Sequence, residues 1–403
     1  MLHRLGLSAL YVLTFGAAIA GLSCSSGSNE DIPLDLGGDG ASGGGATTGD
    51  GGDGSGTGAG AGSGQGGSGA GSGTSTGAGA GSGNGGNGAG AGSGTGANGA
   101  GAGNPGGNGN GDWLVYASTD SSLFVLDPTD PALELTKLGD FECVGQSGGL
   151  YSSMLDVAVD RFQHVWGVAG HSVIPLFPAG GTVHCGPAID LTTSDPSGFV
   201  PTFYALTFAP QGLLDPLKEV LVAGNSAGEL WSVDSEGHIA LHGNFGMVPP
   251  DDGHGHTYDA SHVGKRWELS GDIVFLANDG DPVGFATVRD CPDPPSSSGC
   301  SKHDTLIEID MQKLNLPEPG IVTKAVRGKI VKKIGCGADG LVAGQFFGIA
   351  AWNDAVFGFS RTGGLVRVLT GDASGCLVKN YPTYKFSGAG VTTLAPIDVP
   401  PLQ

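Results

Sequence analysis

Residues 112–403 predict an all-β fold, a β-propeller of five four-stranded blades, or six if a long insertion hides weak strands. A disordered glycine-rich linker precedes it. Three observations carry the prediction. Beyond Trp113 the chain runs in apolar segments of about four to eight residues, parted by Gly, Pro, Asp and Asn, as short strands and turns do. Those segments recur in one fixed order at irregular spacings of about 40 to 75 residues, the arithmetic of propeller blades. The two chain ends also carry complementary fragments of one further unit.

The first strand of the unit reads Asp156–Asp160, Ala205–Ala209, Asp272–Leu276, Gly348–Trp352 and Gly390–Leu394. A turn and a second strand follow the first four: His164–Ala169, Glu219–Ala223, Gly284–Val288 and Ala355–Phe359. Third strands are Ser172–Leu176, Glu229–Val233, Thr305–Ile309 and Leu365–Leu369. A weaker fourth follows, such as Ile239–Phe245 or Lys329–Ile334. Trp113–Ala117 and Ser122–Leu126 look like second and third strands without a first, and Gly390–Leu394 like a first strand alone. Joined, they close the ring and remove a sheet edge.

Upstream, residues 1–23 read as a secretory signal. Arg4 is followed by the uncharged apolar run Leu5–Ala20, shorter than the roughly 20 residues that span a bilayer. Two cleavage readings compete. Ala18–Ala20 fits a small-x-small site and would release a secreted protein, whereas Gly21–Cys24 resembles a bacterial lipobox and marks Cys24 for lipidation. Residues 24–36 then form a small polar and acidic transition. From 37 to 111 about half of the residues are glycine, and no large apolar side chain occurs between Leu36 and Trp113. Such a segment cannot offset the entropy of ordering it. As a Gly/Ser-type coil it would average roughly 50 Å end to end. Its Gly62–Gly67 match to the dinucleotide fingerprint lacks the flanking strand and helix that would aim N–H groups at a pyrophosphate.

The blade texture, clearest from Asp156 to Gly181, resembles the repeats of NHL-type extracellular propellers, without the Trp-Asp dipeptide of WD40 repeats. As a whole the layout is similar to the Gly-tethered, propeller-bearing surface lipoproteins of myxobacteria and their relatives. That family has no assigned activity, so the resemblance implies a fold and a place, the cell envelope. With Ser25 after the lipidated cysteine, it implies the outer membrane or cell surface.

Lipidation of Cys24 also resolves an odd count of 7 cysteines. The rest, Cys143, Cys185, Cys291, Cys300, Cys336 and Cys376, suit three disulfides in an exported chain. Order along the chain suggests 143–185, 291–300 and 336–376, among 15 possible connectivities. The proline-rich span between Cys291 and Cys300 makes that pair the strongest. No C-x-x-C spacing occurs, which argues against structural zinc.

A net charge of −21 excludes the basic footprint of a nucleic-acid binder. It makes cationic or neutral sugar-like partners easier than anionic ones. The densest polar cluster holds His254, His256, Asp259 and His262, whose alternation on an extended segment would suit a divalent metal. The competing reading is a solvated loop between blades. Asp156 and Asp272, at equivalent starts of first strands, are candidate channel carboxylates for Ca²⁺ or a polarised substrate. The matching positions Ala205, Gly348 and Gly390 offer no ligand. Gly145–Gly149 matches the G-x-S-x-G elbow but lies outside a strand-to-helix turn. No catalytic set is assigned, and a divalent metal is the one cofactor the sequence offers. The expectation is an envelope module that binds a protein or glycan, with a metal-assisted, lactonase-like propeller hydrolase as the alternative.

Overall fold

The computed structural model describes residues 113–145, 150–295, 298–333, 336 and 345–401. The signal segment, Cys24, the acidic transition, the glycine-rich arm and Gln146–Gly149 of the G-x-S-x-G match lie outside the described residues.

The described chain is a five-bladed propeller, each blade an antiparallel four-stranded meander. The first blade comprises Asp156–Val159, Val165–Ala169, Ser172–Ala179 and Thr182–Cys185. In the second, Phe203–Ala209 leads to Val220–Asn225, Glu229–Val233 and His238–Asn244. The third runs through Glu268–Leu276, Val283–Arg289, Thr305–Ile309 and Thr323–Lys329. The fourth is built from Phe346–Trp352, Ala355–Ser360, Gly364–Leu369 and Ser374–Asn380. The last is composite: the C-terminal Phe386–Val391 pairs with Val115–Thr119, which continues into Ser122–Leu126 and Leu135–Phe141. The first strands stand side by side as an inner ring, in the order first, second, third, fourth, composite, first.

Two sequence readings are corrected. The C-terminal inner strand lies at Phe386–Val391 rather than Gly390–Leu394, and Thr392–Ala395 turn away at its end. The outer strand of the third blade is Thr323–Lys329 rather than Lys329–Ile334; Val331–Lys332 pairs instead with the outer strand of the fourth blade. Lys324, Arg327 and Lys329 obscure the strand pattern in that segment. Two of the charges are answered across the sheet, where Glu308 accepts Lys324 Nζ at 2.7 Å and Arg327 Nε at 2.8 Å.

Apolar packing lies between successive blades, as in the clusters around Leu206 and Phe208, around Ile273 and Phe275, and around Ile349 and Phe357. At Gly348 and Gly388, on two of the inner strands, the neighbouring strand approaches too closely for a side chain. A Cβ on Gly348 would stand 2.3 Å from the Ala389 nitrogen, and one on Gly388 would stand 2.6 Å from Asp156 Cα. Glycine is required there by contact between neighbouring strands rather than by its turn conformations.

Outer edges are covered as well. The composite and first blades join through parallel pairing of Asp140 with Thr182, and Thr192–Thr193 and Gly320–Ile321 flank the outer strand of the second. Three disulfides reinforce this rim and link the residues in the order suggested by the sequence. Cys143–Cys185 ties the composite blade to the first, and Cys336–Cys376 ties the third-to-fourth connection to the outer strand of the fourth. Cys291–Cys300 closes a loop within the third blade. Three disulfides are the mark of an exported protein.

Candidate functional site

Each inner strand starts on the same face of the ring and each second strand ends there, so residues at these positions from all five blades surround the axis. They line a cavity of about 470 Å³. Tyr204, Glu268 and Phe347 come from inner-strand starts, and Arg289 and Arg361 from second-strand ends. Smaller polar side chains, Ser226, Ser270 and Ser387, fill the wall between them.

The register of the third blade sets Glu268 opposite Arg289. Arg289 Nη2 donates to Glu268 Oε1 at 2.8 Å, with Glu268 enclosed and Arg289 nearly so. The Cys291–Cys300 disulfide packs beside the other oxygen of Glu268, with Cys291 Sγ 3.3 Å away. Arg361 is placed by a turn in which the Ser360 hydroxyl accepts the Gly364 N–H at 2.9 Å. Its guanidinium carbon lies 4.9 Å from the centre of the Phe347 ring, and its Nη1 donates to Asp120 Oδ2 at 3.1 Å. Tyr204 stays 45% exposed between the buried Phe203 and Ala205, so its ring is presented to solvent at the mouth.

Beneath the cup the axis is closed by the two carboxyls the sequence singled out. Leu155, Gly271 and Ser387 line the cup, and Asp156, Asp272 and Gly388 follow them one residue deeper. Asp156 and Asp272 are fully enclosed, and each carboxyl is close enough to perturb the other. Asp156 accepts the N–H of Leu206 from the second blade and of Ala389 from the composite blade, the latter at 3.1 Å. Asp272 accepts the N–H of Ile349 from the fourth blade at 3.0 Å. Burial raises both carboxyls well above the ordinary carboxylate range, and the charge of Asp272 adds to the rise at Asp156. Through these backbone bonds the two carboxyls join all five inner strands. Neither carboxyl opens to the cup.

The cluster read as a candidate metal site is not brought together. Asp252 Oδ1 accepts the N–H groups of His254 and His256 at 2.8 and 3.0 Å, and its Oδ2 meets His256 Nδ1 at 2.9 Å. Despite the burial that would raise it, bonds from Lys329, His256 and His254 lower the Asp252 carboxyl to about 2. His262 is buried with Nδ1 2.8 Å from Asp290 Oδ2, while Asp259 caps the N–H and hydroxyl of Ser261. Among the described residues, the set of three metal-type side chains close enough to share an ion is Glu268, Cys291 and Cys300, whose sulfurs are disulfide-bonded. The Asp252–His256 arrangement is a turn device: Asp160–His164 and Asp234–His238 repeat it bond for bond.

Tyr204, Glu268, Arg289, Phe347 and Arg361 escaped the sequence reading. Each lies just outside the aligned segments, one to four residues before a first strand or one to two after a second, so the aligned repeat itself did not single them out. Motif spacing along one segment cannot reveal a set gathered from separate blades.

No family model and no curated protein matches this chain. Among solved structures it is similar to BBS1N, crystallised in complex with ARL6DN, at 11% identity and a TM-score of 0.28 over 68% of this chain and 60% of that one. It is also similar to a structural-genomics protein of unknown function from Bacteroides thetaiotaomicron VPI-5482, at 12% identity and 0.31 over 68% and 63%. A protein of unknown function from Bacteroides caccae gives 10% and 0.29 over 70% and 98%. The chain thus spans about three fifths of the first two. Likenesses this slight carry no argument, and the fold rests on strand order and register within the chain itself.

Proposed function

We propose that the protein is a binding module of the cell envelope, with a signal at residues 1–23, a lipid on Cys24 and a flexible arm over 37–111 that carries the propeller of 112–403. Its ligand, a protein or a glycan, sits in the cup at the mouth of the ring. One observation carries this reading: five blades contribute to a concave, mixed-polarity cup whose floor is sealed by Asp156 and Asp272. A sealed axis suits surface recognition better than passage or enclosure of a small substrate.

Chain direction supports the arrangement. Val115 pairs with Val391 at the far end of an inner strand, whereas Thr119 pairs with Phe386 at the mouth end. The described chain therefore enters the ring at Trp113 on the face opposite the cup. The hydrolase reading has less support, since the carboxyls on the axis are committed to backbone.

Two measurements test the proposal. Metabolic fatty-acid labelling is expected to mark the wild type and to leave Cys24→Ala unmarked and released from the membrane fraction. Unlabelled wild type overturns the anchor. Incubation of the purified mature chain with envelope polysaccharide and with envelope protein fractions is expected to yield saturable binding that Arg361→Ala weakens. Saturable binding indifferent to every cup substitution overturns the site.

A further inference from the structure

We propose that the cup takes a neutral, polyhydroxylated ligand, a saccharide presenting adjacent hydroxyls, an inference that rests on the binding-module reading above. The charged side chains lining the cup are each paired, Arg289 with Glu268 within it and Arg361 with Asp120 beside it. An anionic ligand would bring its charge against Glu268 and Asp120, in a chain of net charge −21. A cationic ligand would meet two guanidinium groups. A neutral ligand avoids both conflicts.

The Arg361–Asp120 pair has the capacity such a ligand needs. Arg361 is 37% and Asp120 47% exposed at the side chain. A guanidinium carries five N–H groups, and Arg361 uses its Nη1 on Asp120 while the plane is held against Phe347. A carboxylate oxygen accepts more than one bond, so Asp120 Oδ2 can take a second donor beside Arg361. A sugar hydroxyl both accepts and donates. Adjacent hydroxyls can therefore accept from Arg361 and donate to Asp120 without a net charge. Carboxylate or ammonium ligands satisfy only one side of the pair. Tyr204, half exposed at the same mouth, offers an aromatic face for the apolar C–H face of a pyranose.

The test is calorimetric titration of the full mature chain, made soluble by Cys24→Ala, with defined oligosaccharides. The neutral probes are maltotetraose, cellotetraose, mannotriose and tetra-N-acetylchitotetraose; trigalacturonate and chitosan tetramer supply the acidic and basic arms. At least one neutral probe is expected to bind, and Tyr204→Ala and Arg361→Ala are each expected to weaken it about tenfold or more. Tyr204→Phe, which keeps the ring, is expected to retain binding, and unchanged melting curves show that the variants fold. Neutral binding unaffected by both alanine variants overturns the cup as the saccharide site. Stronger binding of the acidic or basic probe overturns the ligand class and leaves the cup standing. If no probe binds, the saccharide class falls. The binding-module reading falls with it only if Tyr204 is also unprotected on intact cells.

Discussion

Asp156 and Asp272 meet on the propeller axis, where burial raises both carboxyls, and their oxygens accept backbone N–H groups from the second, fourth and composite blades. Two side chains thereby join five inner strands. A buried carboxyl left without these partners would cost several kcal/mol, so the pair is held by the ring as much as it holds it.

This pair predicts the pH dependence of stability. A carboxyl raised on folding above its unfolded value of about 3.9 binds its proton more tightly in the folded state. Its contribution is full below about pH 4 and is lost as pH rises toward the raised value. Glu219, raised chiefly by burial, acts in the same sense. The expected Tm therefore falls from about pH 4 to about pH 8. Asp272→Asn keeps hydrogen-bonding capacity and cannot ionise, so its slope is expected to be flatter. Melting curves across that range check this, and parallel slopes count against a raised Asp272 carboxyl.

Close packing at the axis predicts a sharp glycine effect. A Cβ on Gly388 would lie 2.6 Å from Asp156 Cα, so Gly388→Ala should cost about 1–3 kcal/mol. Gly320, with open space around its would-be Cβ, is the comparison, and Gly320→Ala should fall within about 0.5 kcal/mol of wild type. Urea denaturation of both variants decides it.

The repeated Asp-to-His turns predict graded losses. Asp252 is enclosed and accepts N–H groups from His254, His256 and Lys329, so Asp252→Ala should cost about 2–3 kcal/mol. Asp234 makes the same turn half exposed, where water replaces the lost acceptor, and Asp234→Ala should cost about 1 kcal/mol or less. Equal losses would contradict burial as the cause.

Disulfide removal should follow loop length. Cys143–Cys185 closes 42 residues and Cys291–Cys300 closes 9. Loop-closure entropy then assigns about 4 kcal/mol to the first and about 2.6 to the second. Paired Cys→Ser variants, compared by chemical denaturation, give the difference.

Much of the fold was legible because blades repeat their strand order: the inner strands at Asp156, Ala205, Asp272 and Gly348 are visible from alternating Val, Ile, Ala and Phe. The strand Thr323–Lys329 was not, since its charges make sense only opposite Glu308. Likewise the start of the C-terminal strand at Phe386 is fixed by contact of Gly388 with Asp156, which no local pattern encodes. Asp156 and Asp272 could be placed on the axis from repeat position, but their mutual approach depends on how closely the ring shuts. The cup was illegible for a related reason. Arg289 and Arg361 are ordinary surface residues in sequence, and only ring closure brings their blades to one mouth.

Hydroxyl-radical labelling of the protein on intact cells, beside the purified chain, tests the binding-module reading most directly. Tyr204 at the cup and Phe162 on the opposite face are exposed to similar extents, 45% and 40%. Occupancy of the cup predicts that Tyr204 is labelled less on cells than in solution while Phe162 is labelled equally. Equal labelling of Tyr204 in both settings, or protection confined to Phe162, would contradict it.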